Sequence, residues 1–324
     1  MRSTRGAGGA VSTSGVCLRV ADKGSNPSFG IALIIVTALT ISLQDLVFKL
    51  FAGDLTLWQI FTLRGVIAVP VLLVIGAAQG RCKAVLRAAI AVWPVIRGLC
   101  LTATFLTFYA AIPFLSLSTV GAANYIAPIF VALLSAFVIG EAVGRAGWIG
   151  VCLGFAGVLV LLQPGTDAFS AFALLPVLGA MFYATGHIVT RTKCQGVPVA
   201  ALALSLNTVM LLAGALISLI LVVAPLPAAL TDGYAYIFGP WSTVEATDWL
   251  VLALLAGFTI SVGMMLAGAY QVAPPATIAT FEYSYLVFVA IWDILFFGVS
   301  PTPVSLTGMC MIVVAGVLVM RRRV

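Results

Sequence analysis

Residues 281–297 read FEYSYLVFVAIWDILFF, one apolar stretch that carries two carboxylates, Glu282 and Asp293. The solvent around this stretch decides the fold. The two acids lie eleven residues apart. At about 100° per residue a helix returns over that spacing to within roughly 20° of the same face. Both acids therefore look the same way, about 16 Å apart along the axis. In water that face would be the wet one. Here the residues between the acids are almost all apolar, so their shared face needs a different explanation.

Composition supplies the solvent. Of 324 residues, 62% are hydrophobic and 8% are charged. Soluble domains carry about 25% charged residues. The mean hydropathy of +1.19 belongs to a polytopic membrane protein. After a Gly/Ser/Thr-rich basic tail at 1–28, ten apolar segments follow: 29–50, 58–78, 88–112, 117–139, 147–163, 169–190, 198–223, 248–270, 276–297 and 303–320. Each is near the ~20 residues that cross the hydrocarbon. Helices are the expected form, because backbone groups in lipid must be satisfied within the segment. The tail lacks the apolar core and small-residue cleavage site of a secretory signal.

Charge sets the expected topology. With the N-terminus cytoplasmic, the inner side receives Arg2, Arg5, Arg19, Lys23, Arg81, Lys83, Arg87, Arg145, Arg191, Lys193 and Arg321–Arg323, thirteen of the sixteen Lys and Arg. The outer loops hold acids only, among them Asp54, Asp167, Asp232, Glu245 and Asp248. This is the positive-inside pattern. It places both termini inside a cell membrane and explains the net charge of +6 without nucleic acid. The long loop 224–247, with Tyr234, Tyr236 and Trp241, is expected to lie along the outer interface.

The chain also repeats. TVGAANYIAPIFVA (119–132) and TIATFEYSYLVFVA (277–290) share Thr, Tyr and a closing Phe-Val-Ala at a constant offset of 158, which Gly150 and Gly308 keep. Two halves, 29–163 and 169–320, follow. Five spans per half is an odd number, so the halves point oppositely across the membrane. That is a common build for secondary transporters, with the substrate near the midplane.

The run YAAIPFLSLSTVGAANYIAPIFVALLSAFVIGEAVGRAGWIGVCLGFAGVLVLLQPG (109–165) resembles the first EamA repeat of the drug/metabolite transporter superfamily, and AYQVAPPATIATFEYSYLVFVAIWDILFFGVSP (269–301) resembles the second. The resemblance implies an all-α polytopic membrane protein: ten transmembrane helices as two inverted five-helix EamA repeats in a bacterial inner membrane. It also implies transport of small metabolites, with amino-acid exporters and importers of S-adenosylmethionine or riboflavin among the members. Gly140–Glu141 fits the family pattern. The second half departs from it, with Val299 after Gly298. Arg64 and Arg97 sit where related proteins often carry arginine.

Charges within a span cost about 2.5–3.5 kcal/mol each on insertion scales, so they face one another or a wet cavity. Depth pairs Arg97 with Glu282 at the inner side. At the outer side it pairs Arg64 with Asp45, Lys49 or Asp293. An offset of 142 lays Asp45 and Lys49 on His187 and Arg191, both pairs at i,i+4. Snorkelling explains Lys49 and Arg191 equally well. Glu282 reads as a ligand for a cationic group or as a proton carrier, or else as half of a structural ion pair. Asn124 occupies the position equivalent to Glu282. With Tyr109, Tyr125, Tyr283, Tyr285, Trp58 and Trp292 it is expected to line an aromatic cavity suited to flat or cationic ligands.

These patterns favour a carrier for a small polar or zwitterionic metabolite with a cationic or aromatic part, and no enzyme. The sequence has no HExxH, no GxSxG, no GxxxxGK[ST] loop, a single histidine and no CxxC among its six cysteines. No cofactor and no metal are expected. A channel, the competing reading, would carry rings of like charge or repeated pore loops. The partners expected are a small-molecule substrate and the lipid bilayer, with a homodimer left open by the even spread of small residues.

Overall fold

The computed structural model describes residues 27–51, 55–115, 117–124, 126–139, 145–162, 170–224, 226–273, 278, 281–282 and 284–320. The basic tail through residue 26, the Gly140–Glu141 pair, Tyr125, Tyr283 and the terminal arginines lie outside the described residues. Among those described, every regular element is helical. The order is α1 Pro27–Phe51, α2 Leu57–Ala78, α3 Cys82–Ala89, α4 Val92–Ala111, α5 Leu117–Asn124, α6 Ala127–Leu134, α7 Arg145–Leu162, α8 Leu174–Lys193, α9 Val199–Val223, α10 Ala228–Gly233, α11 Ala235–Phe238, α12 Ala246–Val272, α13 Ser284–Phe297 and α14 Pro303–Met320. Six helices are long and apolar enough to cross a membrane: α1, α2, α4, α8, α9 and α12. Four shorter apolar helices fall at 129–138, 148–160, 284–297 and 303–315.

Local chemistry sets several boundaries. Thr56 caps α2 by accepting from the Gln59 N–H at 3.4 Å. Glu245 and Asp248 form a capping box at the start of α12, with the Glu245 N–H donating to Asp248 Oδ2 at 2.8 Å. Gly298, at φ +63°, follows the end of α13 in the left-handed region where glycine is favoured. The expected third span, 88–112, divides. The basic loop folds as a short amphipathic helix, α3, with Val85 and Ala89 buried and Lys83 and Arg87 exposed. The span proper starts only at Val92. The expected fourth span also divides, into α5, α6 and a wider turn of π-helix at Ser135–Ile139.

Packing follows a regular scheme. Helix α2 lies along α9, and α7 along α14. Helix α1 packs on α12 and α13, while α8 packs on α4, α5 and α6. Helix α4 touches α9, α12 touches α2, and α5 touches α13. Small residues allow the closest approaches. A Cβ on Gly157 of α7 would stand 3.0 Å from the Gly308 carbonyl oxygen and 2.9 Å from Met311 Cβ of α14. A Cβ on Gly65 of α2 would stand 2.6 Å from Leu211 Cβ of α9. The largest core cluster gathers around Phe48, Phe61, Tyr109, Leu117 and Tyr285.

Candidate functional site

Two helical paths are interrupted at matching places. Helix α5 ends at Asn124 and α6 resumes at Ala127. Regular helix in α13 starts at Ser284, with Glu282 in the turn before it. The offset of 158 lays Asn124 on Glu282 and Ala127 on Tyr285, and all four residues line one internal cavity. Its other polar walls come from Asp45, Arg97, Thr104, Tyr183 and Thr259. The cavity measures about 70 Å³. Pockets for drug-sized ligands run to roughly 300–1,000 Å³, so in this conformation the cavity holds only a small group.

Two carboxylates face this cavity, each bound by two tyrosine hydroxyls. Asp45 Oδ1 accepts from Tyr109 at 3.1 Å, and Oδ2 accepts from Tyr285 at 2.8 Å. The chain of bonds extends outward. Gln44 Nε2 donates to the Tyr109 oxygen at 2.5 Å, and Thr259 Oγ1 donates to Gln44 Oε1 at 3.2 Å. Phe48 stacks on Tyr109 at 4.2 Å. Arg64 is buried in the same region, close enough to Asp45 and Tyr109 for charge interaction. One of its nitrogens, Nη2, reaches Met210 Sδ at 3.4 Å, and the guanidinium lies 5.3 Å from the Phe61 ring centre.

Glu282 is held differently. Tyr183 and Tyr270 both donate to the same oxygen, Oε1, each at 2.9 Å. Its second oxygen, Oε2, makes no hydrogen bond among the described residues. His187 is wedged between those tyrosines, 4.2 Å from the Tyr183 ring and 4.1 Å from the Tyr270 ring. Neither of its ring nitrogens has a hydrogen-bond partner among the described residues.

Arg97 is fully buried and lines the cavity, but it does not bond to Glu282 as depth predicted. Its Nε donates to Thr190 Oγ1 at 2.8 Å and its Nη1 to the Leu202 carbonyl at 3.2 Å. Its Nη2 has no acceptor among the described residues. Depth along the membrane normal placed the two residues at one level, but it carries no information on which way around the bundle each side chain turns. The outer grouping is closer to expectation, since Arg64 lies by Asp45. Asp293 is buried within charge range of Lys49 and does not line the cavity. The Lys49 ammonium sits 4.6 Å from the Phe297 ring centre. Asn124 does line the cavity, with its Oδ1 buried and unpaired.

Several contributors were not singled out from sequence: Tyr183, Tyr270, Gln44, Thr259 and Thr104. Tyr183 stands four residues before His187, the spacing that shares a helix face, and that was the available clue. The loop 224–247 is tied to the start of α2. The Trp58 indole N–H donates to the Ile237 carbonyl at 2.8 Å. Gln59 pairs with Ser242 three times, donating to its carbonyl at 2.8 Å and accepting from its N–H at 3.1 Å and its hydroxyl at 3.3 Å. Tyr236 is thereby set edge-on to Phe48 at 6.3 Å.

Comparison with known proteins agrees with this architecture. Residues 28–163 match the EamA-like transporter family. A riboflavin transporter of Rhizobium johnstonii is 29% identical over 60% of this chain and 58% of its own length. A riboflavin transporter of Brucella anthropi is 23% identical over 60% of this chain and 64% of its own. An S-adenosylmethionine uptake transporter of Rickettsia prowazekii is 24% identical over 50% of this chain and 54% of its own. The matched region thus spans about three fifths of the length of the two riboflavin transporters. A solved crystal structure shares the fold, with a TM-score of 0.65 and 19% identity, covering 92% of this chain and all of that one.

Proposed function

We propose that this member of the EamA-like transporter family, a multi-pass membrane protein, is a secondary active transporter that carries a small metabolite by alternating access between two inverted five-helix halves, 29–163 and 169–320. The observation that carries the reading is the cavity at the two interrupted helices, where Asn124 and Glu282 face one site from equivalent positions. Interrupted helices that meet at a central site are a recurrent feature of secondary transporters.

Helix packing supports the halves. Exchanging α1, α2, α4, α5/α6 and α7 for α8, α9, α12, α13 and α14 maps α2–α9, α7–α14 and α5–α13 onto themselves, α1–α12 onto α4–α8, α1–α13 onto the packing of α8 on α5/α6, and α4–α9 onto α2–α12, while the α9–α12 contact has no counterpart of similar extent between α2 and α4. A side-chain contact repeats as well. Asp45 of α1 touches Tyr109 of α4, and its equivalent His187 of α8 touches Tyr270 of α12. Five spans per half invert one half relative to the other. The distribution of basic residues supports an orientation with both termini in the cytoplasm.

The small volume of the cavity supports a carrier that widens during its cycle rather than a fixed pore. The names of the relatives point to a flat, hydrogen-bonding metabolite of riboflavin or S-adenosylmethionine type as cargo. The aromatic wall of Phe105, Phe108, Tyr183 and Tyr285 suits such a ring. The test is uptake of radiolabelled riboflavin and S-adenosylmethionine into vesicles reconstituted with the full chain. Saturable uptake of one of them is expected. Flux that rises linearly with concentration would mark a channel, and no flux of either would remove this substrate assignment.

A further inference from the structure

The transport reading leaves open which charge type of cargo the cavity accepts, and two residues that line it, Arg97 and Glu282, bear on it. Arg97 is fully buried, and two of its three nitrogens are engaged by Thr190 and the Leu202 carbonyl. The third, Nη2, has no acceptor among the described residues although the side chain lines the cavity. A buried donor left unmade is costly, more so on a charged group. In the same cavity, Glu282 concentrates both tyrosine bonds on Oε1, and Oε2 accepts none among the described residues. At Asp45 the two tyrosine hydroxyls are spread over both oxygens and fix the whole carboxylate.

We propose that Arg97 and Glu282 are the two poles that read the substrate, and that they select a cargo with no net charge: an acceptor such as a ring carbonyl or carboxylate meets Arg97 Nη2, and an N–H or O–H donor meets Glu282 Oε2. This rests on the transport reading and names the substrate class of that site. Charge pairing gives the reason. Asp45 has Arg64 beside it and the buried Asp293 has Lys49 within charge range, which leaves Arg97 and Glu282, one base and one acid, as the remaining charges of the wall. A neutral or zwitterionic cargo leaves that balance intact. A net cation or anion adds an uncompensated charge to a desolvated site. Asn124 Oδ1, without a partner among the described residues, supplies a second acceptor in the cavity wall. Thr190 and the Leu202 carbonyl orient the guanidinium, which fixes the direction of the remaining N–H groups.

The test uses the full chain in lipid nanodiscs with three probes. Riboflavin carries no net charge and offers both ring carbonyls and an N–H. Flavin mononucleotide has the same ring plus an anionic phosphate, and S-adenosylmethionine is a net cation. Binding is read by titration and by thermal stabilisation. Riboflavin is expected to bind at least tenfold tighter than either charged probe. Arg97→Gln and Glu282→Gln are each expected to weaken it at least tenfold, with Arg97→Lys recovering part of the loss by keeping the charge with fewer directed donors. Should Arg97→Gln fail to fold, Arg97→Lys and Glu282→Gln carry the test. Tighter binding of a charged probe overturns the inference and leaves transport standing, as does riboflavin affinity within twofold of wild type in folded variants, the result expected if water satisfies both atoms. If none of the three binds, the same titration is run with a small-metabolite library sorted by net charge. Hits that are net ions overturn the inference alone, and a library with no hit and no vesicle uptake overturns the transport reading with it.

Discussion

Asp45 and Glu282 are both buried, both line one cavity and both accept hydrogen bonds from two tyrosines. They differ in how the bonds are spread. Asp45 divides its tyrosines between two oxygens and ties α1 to α4 and α13, so it joins the two proposed halves. Its network runs on through Gln44 to Thr259 of α12, and Ser42, one turn earlier, accepts from the Trp292 indole at 3.1 Å. Glu282 binds only partners within the second half and keeps one oxygen open. The comparison teaches that the spread of the bonds separates scaffold from site. A carboxylate anchored through both oxygens to two helices stabilises the conformation described here. One anchored through a single oxygen, in the same cavity as an arginine with a spare N–H, is built to meet something else.

Five substitutions break or sharpen that contrast. The largest stability loss is expected from Asp45→Ala. It strands two buried hydroxyls and leaves Arg64 without its nearby carboxylate, and breaking a buried charged cluster costs about 3–5 kcal/mol. Thermal melting in detergent should show it, and a change under about 1 kcal/mol would place Asp45 outside the scaffold. Tyr285→Phe removes one bond to a charged acceptor, worth about 1.5–3 kcal/mol. The same measurement on Tyr183→Phe should give a smaller loss, because Glu282 keeps Tyr270 on the same oxygen; equal losses would erase the distinction between the two clusters. Gly157→Val tests packing away from both. Its added atoms meet the α14 backbone at Gly308, and overpacking costs about 1–3 kcal/mol. Uptake by the protein that remains folded should be near normal. The smallest effect is expected from His187→Phe. Neither ring nitrogen is hydrogen-bonded, so a swap of similar volume should cost less than about 1.5 kcal/mol. A larger loss would mean that the imidazole has a polar role in the Glu282 cluster.

The membrane fold was legible because its cause is written in every segment: long apolar runs in lipid have no stable alternative to helix. The equivalence of Asn124 and Glu282 was legible as well, since the repeat lies in the sequence at a fixed offset, but the breaks beside them were not, because both stretches read as unbroken apolar helices. The boundary at 88–112 was lost because α3 and α4 are joined by only two residues, and apolar periodicity does not register so short a turn. The pairing of Arg97 with Glu282 was inferred from depth alone. Its actual partners, Thr190 and the Leu202 carbonyl, are uncharged and distant in sequence, so no charge pattern announces them. The tyrosine caps were hidden for the same reason. Tyr183 lies 99 residues from Glu282, and Tyr285 lies 240 from Asp45, so only the packed bundle brings them together.

The measurement that bears most directly on the central claim is saturable riboflavin uptake into vesicles carrying wild-type protein or Glu282→Gln, with the melting temperature of each recorded. The site reading predicts that wild type transports, and that Glu282→Gln melts close to wild type while its uptake falls at least tenfold, a difference of about 1.4 kcal/mol or more. Uptake by a folded Glu282→Gln equal to wild type would contradict it and return Glu282 to the scaffold beside Asp45.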